Sequence, residues 1–258
     1  MLRSMLSAYL FSDDGIFNFE LLYNIKQFPN DSILQKLGIK NNDIDDIIKN
    51  SIRAQESFNN KNSVGFVKTH NMLFNFEKKY PFTNFDNSLG VIYIVRDPRN
   101  LVLSYARHLD ISIEETVKFV TLGKGNKNDF MGNWAENFLS WKAFKNHNKY
   151  LLIKYEDLIN KKKTTMIKIL KFLNQLGMKS QLDIVKLNKA IKSTDFSKVK
   201  NLEENETFYE GVLDAKTGKR KTFFNLGPSN DWRRLLDDKI KIKLEKSFEK
   251  EMIELEYL

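Results

Sequence analysis

The stretch Tyr93-Ile94-Val95-Arg96-Asp97-Pro98-Arg99-Asn100-Leu101-Val102-Leu103-Ser104-Tyr105 decides how the rest of the chain is read. Its first residues close the apolar run Gly90-Val91-Ile92-Tyr93-Ile94-Val95, whose β-branched and aromatic side chains fit a strand buried on both faces. The run ends at Arg96-Asp97, and Pro98 stands where a fixed φ and a missing N–H suit the first turn of a helix. Apolar residues then recur at helical spacing from Leu101 to Leu109. A strand that passes through a charged corner straight into a helix is the repeating unit of parallel sheets.

Two further runs have the same character, Val64-Gly65-Phe66-Val67-Lys68 and Tyr150-Leu151-Leu152-Ile153-Lys154-Tyr155. Helical patterns over Leu101 to Leu109, Ile113 to Phe119, Trp134 to Phe144 and Thr164 to Leu176 alternate with the strands. The expectation is an α/β fold with a mainly parallel central sheet flanked by helices. Leu2, Met5, Leu6, Tyr9 and Leu10 form an amphipathic helical pattern already under way at the first residue, with no Ser, Thr, Asp or Asn to cap it. Asp13-Asp14-Gly15 reads as a turn, and short helical patterns such as Asp43 to Ile52 lie among polar loops up to Lys61. Beyond Leu182 the chain reads as a helix near Asp183 to Ile191, a polar segment to about Arg220, and one long closing helix from Leu235 to Leu255. No Pro/Gly/Ser-rich linker divides it, so residues 1–258 are expected to form a single domain.

Composition narrows the function classes. A hydrophobic fraction of 41% and 20 Phe support a packed core rather than a disordered chain. The absence of cysteine removes disulfides and thiol chemistry and fits a reducing, cytoplasmic setting. With three histidines, a His-rich zinc site is not expected. Apolar runs fall short of the roughly 18 residues of a membrane span. The net charge of +9 suits an anionic partner, but lysines such as those from Lys239 to Lys250 lie on solvated helix faces, and nucleic-acid motifs are missing.

In a parallel α/β sheet, ligands gather where strands end and helices begin. The first strand ends Lys68-Thr69-His70, which sets a cation, a hydroxyl and a good general base together. At the second strand end an Arg beside a helix N-terminus is a natural phosphate clamp, because guanidinium and free N–H groups converge on one anion. Equally, Arg96 or Arg99 could be held in an ion pair with Asp97 or Glu156. The third strand ends Tyr155-Glu156-Asp157-Leu158, where acidic residues favour a helix start. Near the C-terminus, Phe223-Phe224-Asn225-Leu226-Gly227-Pro228-Ser229-Asn230-Asp231-Trp232 is a glycine-containing loop bracketed by aromatics.

In this order and spacing, the four pieces resemble the sulfotransferases that use 3′-phosphoadenosine 5′-phosphosulfate (PAPS). The resemblance implies a P-loop-like, three-layer fold. Tyr93 to Tyr105 resembles that family's 3′-phosphate-binding motif, which makes Arg96 and Ser104 the expected clamp. Val67-Lys68-Thr69-His70 resembles the strand carrying the catalytic base, so His70 would take the acceptor's proton with Lys68 in an electrostatic role. The stretch from Tyr150 to Leu173 is similar to the family's strand, turn and helix, which puts Tyr155 near the adenine. Ser193-Thr194-Asp195-Phe196 resembles a stretch of the adenine pocket, with Thr194 and Phe196 carried over. The loop at Gly227 resembles the closing motif over the 3′-phosphate, although Asn225-Leu226 replaces its basic pair. Lys219, Arg220 and Lys221 are the nearby substitutes.

Met1-Leu2-Arg3-Ser4-Met5-Leu6 resembles the helix that follows the family's phosphosulfate loop. That loop and the first strand are missing from these residues, and the expectation is that an upstream start supplies them. Gly123-Lys124-Gly125-Asn126-Lys127-Asn128 follows a helical pattern and reads as a plain loop, not a replacement. The implied activity is in-line sulfuryl transfer from PAPS to a hydroxyl or amine, without a metal. The acceptor is left open among small molecules, glycans and lipids. The alternative is a catalytically impaired nucleotide-binding protein or scaffold.

Overall fold

The computed structural model describes residues 1–59, 64–123, 130–206, 208, 218, 222–224 and 227–258. Helix α1 (Leu2–Phe11) buries Leu2, Met5, Leu6 and Tyr9, the face its sequence pattern marks, and no side chain caps it. There follow β1 (Ile25–Gln27), α2 (Asp31–Lys36), α3 (Ile44–Lys49) and α4 (Ser51–Glu56). Strand β2 (Phe66–Lys68) precedes the hairpin of β3 (Asn75–Phe76) and β4 (Tyr80–Pro81). Strand β5 (Val91–Val95) then turns into α5 (Pro98–Leu109), which Asp97 caps by accepting from the Arg99 N–H. Helices α6 (Ile113–Leu122) and α7 (Trp134–Trp141) each open with a capping box, Ser112 with Glu115 and Asn133 with Glu136. Strand β6 (Tyr150–Lys154) leads into α8 (Tyr155–Asn160) and α9 (Lys162–Gln175). The last part is α10 (Ile184–Ser193), α11 (Phe196–Asn205), α12 (Trp232–Leu235), α13 (Asp238–Ser247) and α14 (Glu249–Glu254).

The strands are parallel where expected, but they form pairs. β5 and β6 pair in register from Val91↔Tyr150 to Val95↔Lys154, and β1 pairs with β2 from Ile25↔Phe66 to Gln27↔Lys68. β2 and β5 are not bonded to each other. Both line one cavity of about 2840 Å³, and Val67 and Ile94 stand 47% and 41% exposed. Strand β1 escapes the sequence pattern because only Ile25 of its three residues is buried.

One expectation needs correction. The closing helix is not continuous from Leu235 to Leu255, because Phe248 adopts φ −129° between α13 and α14 and is buried against Trp134 at 5.1 Å between ring centroids. Of the polar segment expected up to Arg220, residues 196–205 are helix α11.

Three apolar clusters hold these pieces. One joins α1 to α9 and α10 through Met5, Met166, Ile169 and Leu187. A second sits under the hairpin around Phe74, Phe82 and Trp141, and a third packs α5, α6 and α7 against α13 and α14 through Val102, Val117, Phe138 and Leu244. The second and third meet at Tyr93, which packs against both.

Candidate functional site

At the corner after β5 the two arginines part company. Arg99 is buried, donates to Asp97 Oδ1 and Oδ2, to Glu245 at 2.5 Å and to the Tyr257 carbonyl at 2.8 Å, and lies 4.0 Å over the Trp232 ring. Burial opposes its charge, but Asp97 and Glu245 outweigh it and hold its pKa above the ordinary arginine value. Glu156 accepts from the Asp97 N–H at 3.1 Å and from the Tyr257 hydroxyl at 2.9 Å. Both carboxylates considered as partners for an arginine are therefore occupied without Arg96. Among the described residues Arg96 has no ion-pair partner. Its guanidinium stacks 4.5 Å from the Tyr155 ring, its Nε is buried without a hydrogen bond, and it lines the cavity with Ser104 of α5.

Lys68 ends β2 half-buried, and Thr69 and His70 follow, His70 exposed. All three line the same cavity as Arg96 and Ser104. His70 lies on a segment fastened by its backbone: Asn137 donates to the His70 carbonyl at 3.0 Å, and Trp141 donates to the Asn71 carbonyl at 3.0 Å. Tyr155, Thr194, Phe196 and Gly227 also line the cavity. The Thr194 hydroxyl, however, is buried and donates to the Ala190 carbonyl at 2.7 Å, so it completes the end of α10. Gly227 has φ +49°, and a Cβ there would stand 2.6 Å from the Phe196 ring, so the loop lies directly on that ring. Asn100 ties the same loop to α5, accepting from the Trp232 N–H at 2.9 Å and from the Asn230 amide at 3.1 Å. Asn225-Leu226, Lys219, Arg220, Lys221 and residues 124–128 lie outside the described residues.

Two cavity residues were missed by the sequence reading. His108 stands one turn after Ser104 on the same face of α5, beside the rings of Tyr105 (6.5 Å) and Phe223 (5.9 Å). Burial and the Lys68 ammonium lower its pKa, which keeps the imidazole neutral near pH 7. The i, i+4 spacing from Ser104 was a usable signal. Asn137 gave none, since an Asn inside an amphipathic helix reads as surface. Among the described residues no cluster of three or more His, Asp or Glu could hold a metal, and no helix is long and apolar enough to cross a membrane.

A parallel α/β corner that runs straight into a helix defines a protein of the α/β class, and comparison with known proteins narrows this. Residues 18–256 match the family described as "Sulfotransferase domain". The chain is 32% identical to sulfotransferase 2A2 of Rattus norvegicus over 157 residues, 58% of this chain and 51% of that protein. It is 24% identical to 3-beta-hydroxysteroid sulfotransferase of Cavia porcellus over 163 residues, 60% of this chain and 53% of that protein. The chain thus spans about half the length of these curated relatives. In structure it resembles retinol dehydratase in complex with androsterone and the inactive cofactor PAP (TM-score 0.58, 17% identity, 96% of this chain and 77% of that one). It also resembles mouse sulfotransferase SULT7A1 complexed with PAP (TM-score 0.53, 24% identity, 72% and 65%). This chain belongs to the sulfotransferase domain family.

Proposed function

We propose that the chain binds PAPS and, as part of a sulfotransferase, transfers its sulfuryl group to a hydroxyl or amine of a small-molecule acceptor. The observation that carries this reading is Arg96. A guanidinium facing a cavity with a buried Nε and no carboxylate is a cation prepared for an anion from solution. Ser104, two turns into the helix that starts beside it, adds a hydroxyl for the same 3′-phosphate. Tyr155, Thr194, Phe196 and Gly227 would wall the adenosine, Thr194 by packing rather than through its hydroxyl. Two structural relatives are complexes with PAP, the nucleotide left after transfer.

In the transfer itself the acceptor oxygen or nitrogen attacks sulfur as the bond from sulfur to the 5′-phosphate oxygen breaks. The acceptor's proton passes to His70, and the leaving nucleotide carries the electron pair away. Lys68, one residue from the Thr69-His70 segment, would neutralise charge developing on the bridging oxygen. No residue of this chain is assigned to the 5′-phosphosulfate.

Calorimetric titration with PAP and with adenosine 5′-phosphate tests the reading. Arg96→Ala should weaken PAP about 10- to 100-fold, as loss of a charge-assisted hydrogen bond does. Adenosine 5′-phosphate, lacking the 3′-phosphate, should change far less. Equal losses would remove the 3′-phosphate assignment, and PAP binding without any transfer would favour a nucleotide-binding scaffold.

A further inference from the structure

The two halves of the candidate site belong to strand pairs that share no backbone hydrogen bond, His70 following β2 and Arg96 following β5. Side-chain contacts nevertheless join the two pairs. One face of α7 touches both. Trp134 Nε1 donates to the Arg96 carbonyl at 3.2 Å, Asn137 Nδ2 donates to the His70 carbonyl at 3.0 Å, and Trp141 Nε1 donates to the Asn71 carbonyl at 3.0 Å. These residues stand at i, i+3 and i+7, one stripe of a helix. Ser140 adds a fourth tie by accepting from the Leu73 N–H at 2.9 Å.

Asn137 is the central member of the stripe. Its amide nitrogen also donates to the Met131 carbonyl at 2.7 Å, and its Oδ1 accepts from the Tyr93 hydroxyl at 2.9 Å. Two carbonyl partners and one hydroxyl donor leave a single orientation for the amide. Tyr93 lies in β5, three residues before Arg96, and burial raises its pKa, so its phenol remains a donor. The chain of contacts therefore runs from β5 through Tyr93 and Asn137 to the His70 backbone.

We propose that the Trp134, Asn137 and Trp141 face of α7 is the positioning element that sets His70 at its working distance from the Arg96 clamp, with Asn137 as the key positioning residue. Its effect on turnover rests on the sulfotransferase reading above; its effect on the placement of His70 does not. In Asn137→Ala the His70 carbonyl loses its tie and the Tyr93 hydroxyl loses its acceptor. Tyr93→Phe removes only the second bond and is the gentler perturbation.

The test measures the rate at which diethyl pyrocarbonate modifies His70 in the full chain, read by mass spectrometry, with exposed His147 as internal reference. The His70 to His147 rate ratio should change at least several-fold in Asn137→Ala and less in Tyr93→Phe. Under the same conditions Asn137→Ala should keep PAP affinity within about twofold, because Arg96 is still held by Trp134. In a preparation that transfers sulfate, Asn137→Ala should lower kcat about 10-fold or more with KM for the nucleotide little changed. Trp134→Phe should do the reverse, weakening PAP while sparing His70 reactivity. An unchanged ratio in a variant whose unfolding transition remains cooperative would overturn the proposal. Should Asn137→Ala not fold, an unchanged ratio in Tyr93→Phe together with unchanged PAP affinity in Trp134→Phe would do the same. Lack of PAP binding by the wild type would count against the sulfotransferase reading alone, since the His70 ratio needs no ligand.

Discussion

The β5–β6 pair and the β1–β2 pair each deliver one half of the candidate site, and they are built to different standards. The former has five residues in register, buried positions at Val95, Leu151 and Ile153, and a corner locked by Arg99 against Asp97, Glu245 and the Tyr257 carbonyl. The latter has three residues in register and a single buried position at Ile25, while Val67 here and Ile94 in the former are similarly exposed. The corner proposed to clamp a phosphate is therefore self-supporting, whereas the segment carrying the expected base is held from outside, by α7, which follows β5 and precedes β6 in the sequence. The difference is sharpest in the arginines: three residues apart, Arg99 is consumed by the fold, whereas Arg96 stacks on Tyr155 and lines the cavity with no ion-pair partner among the described residues.

Breaking the rigid half should have the largest effect. Arg99→Ala leaves Asp97 buried without its partner, and removing one member of a buried ion pair costs about 3–5 kcal/mol. Urea unfolding should report a loss of that size, while Arg96→Ala, which breaks no ion pair, should change stability by less than about 1 kcal/mol. Arg99→Lys should rescue little, because a single ammonium cannot reach Asp97, Glu245 and a carbonyl together. Similar losses for the two alanine variants would erase the distinction between the arginines.

Breaking the externally held half should leave stability alone and strike turnover. His70→Ala, at an exposed position, should lower kcat by about two orders of magnitude or more, the usual contribution of a general base, with PAP affinity intact. Turnover within a few-fold of wild type would move the base elsewhere, with His108 the next residue to test.

How far the sequence could be read follows the same division. The self-supporting half was legible because its signals are local: an apolar run, a charged corner, Pro98 at a helix start, and apolar residues at helical spacing. Which arginine was free was not legible, since Glu245 and Tyr257 come from the far end of the chain, and only the folded molecule brings them to Arg99. Strand β1 was missed because a three-residue strand with one buried side chain has no period to detect. The break at Phe248 was missed because apolar spacing continues across it. Thr194, expected by resemblance beside the adenine, lines the cavity with its hydroxyl engaged by α10, a contact that residue type alone does not show.

The loop over the cavity offers a smaller and reversible perturbation. Gly227→Ala must press a methyl group into the Phe196 ring at a backbone angle that L-residues seldom adopt, at a cost of about 1–3 kcal/mol. Because the loop is tied to α5 through Asn100 rather than to the β1–β2 half, PAP affinity should fall while His70 reactivity stays unchanged. Adding Phe196→Leu should return part of the loss by making room. If the double variant is as weak as the sum of the singles, the contact between ring and glycine is not what holds the loop.

The smallest effect should come from His108, where the two halves meet electrostatically. Its imidazole is half-buried beside Tyr105 and Phe223, and the Lys68 ammonium of the β1–β2 half acts on it from across the cavity. Burial and that ammonium both disfavour its protonated form, so its folded pKa lies below the ordinary value of 6.5. Between those two values the unfolded chain binds more protons than the folded one, and stability rises with pH across that window. Acidifying from pH 7 through 6.5 should therefore destabilise the wild type more than His108→Gln, whose side chain does not titrate. Lys68→Met removes the ammonium while keeping a long stem, so it should shrink the difference between the two proteins without abolishing it, because burial is the larger cause. Thermal unfolding from pH 5 to 8 reads all four combinations of these changes. A wild-type slope matched by His108→Gln would mean that the imidazole is as easily protonated in the folded chain as in the unfolded one, and that the two halves of the cavity do not sense each other's charge.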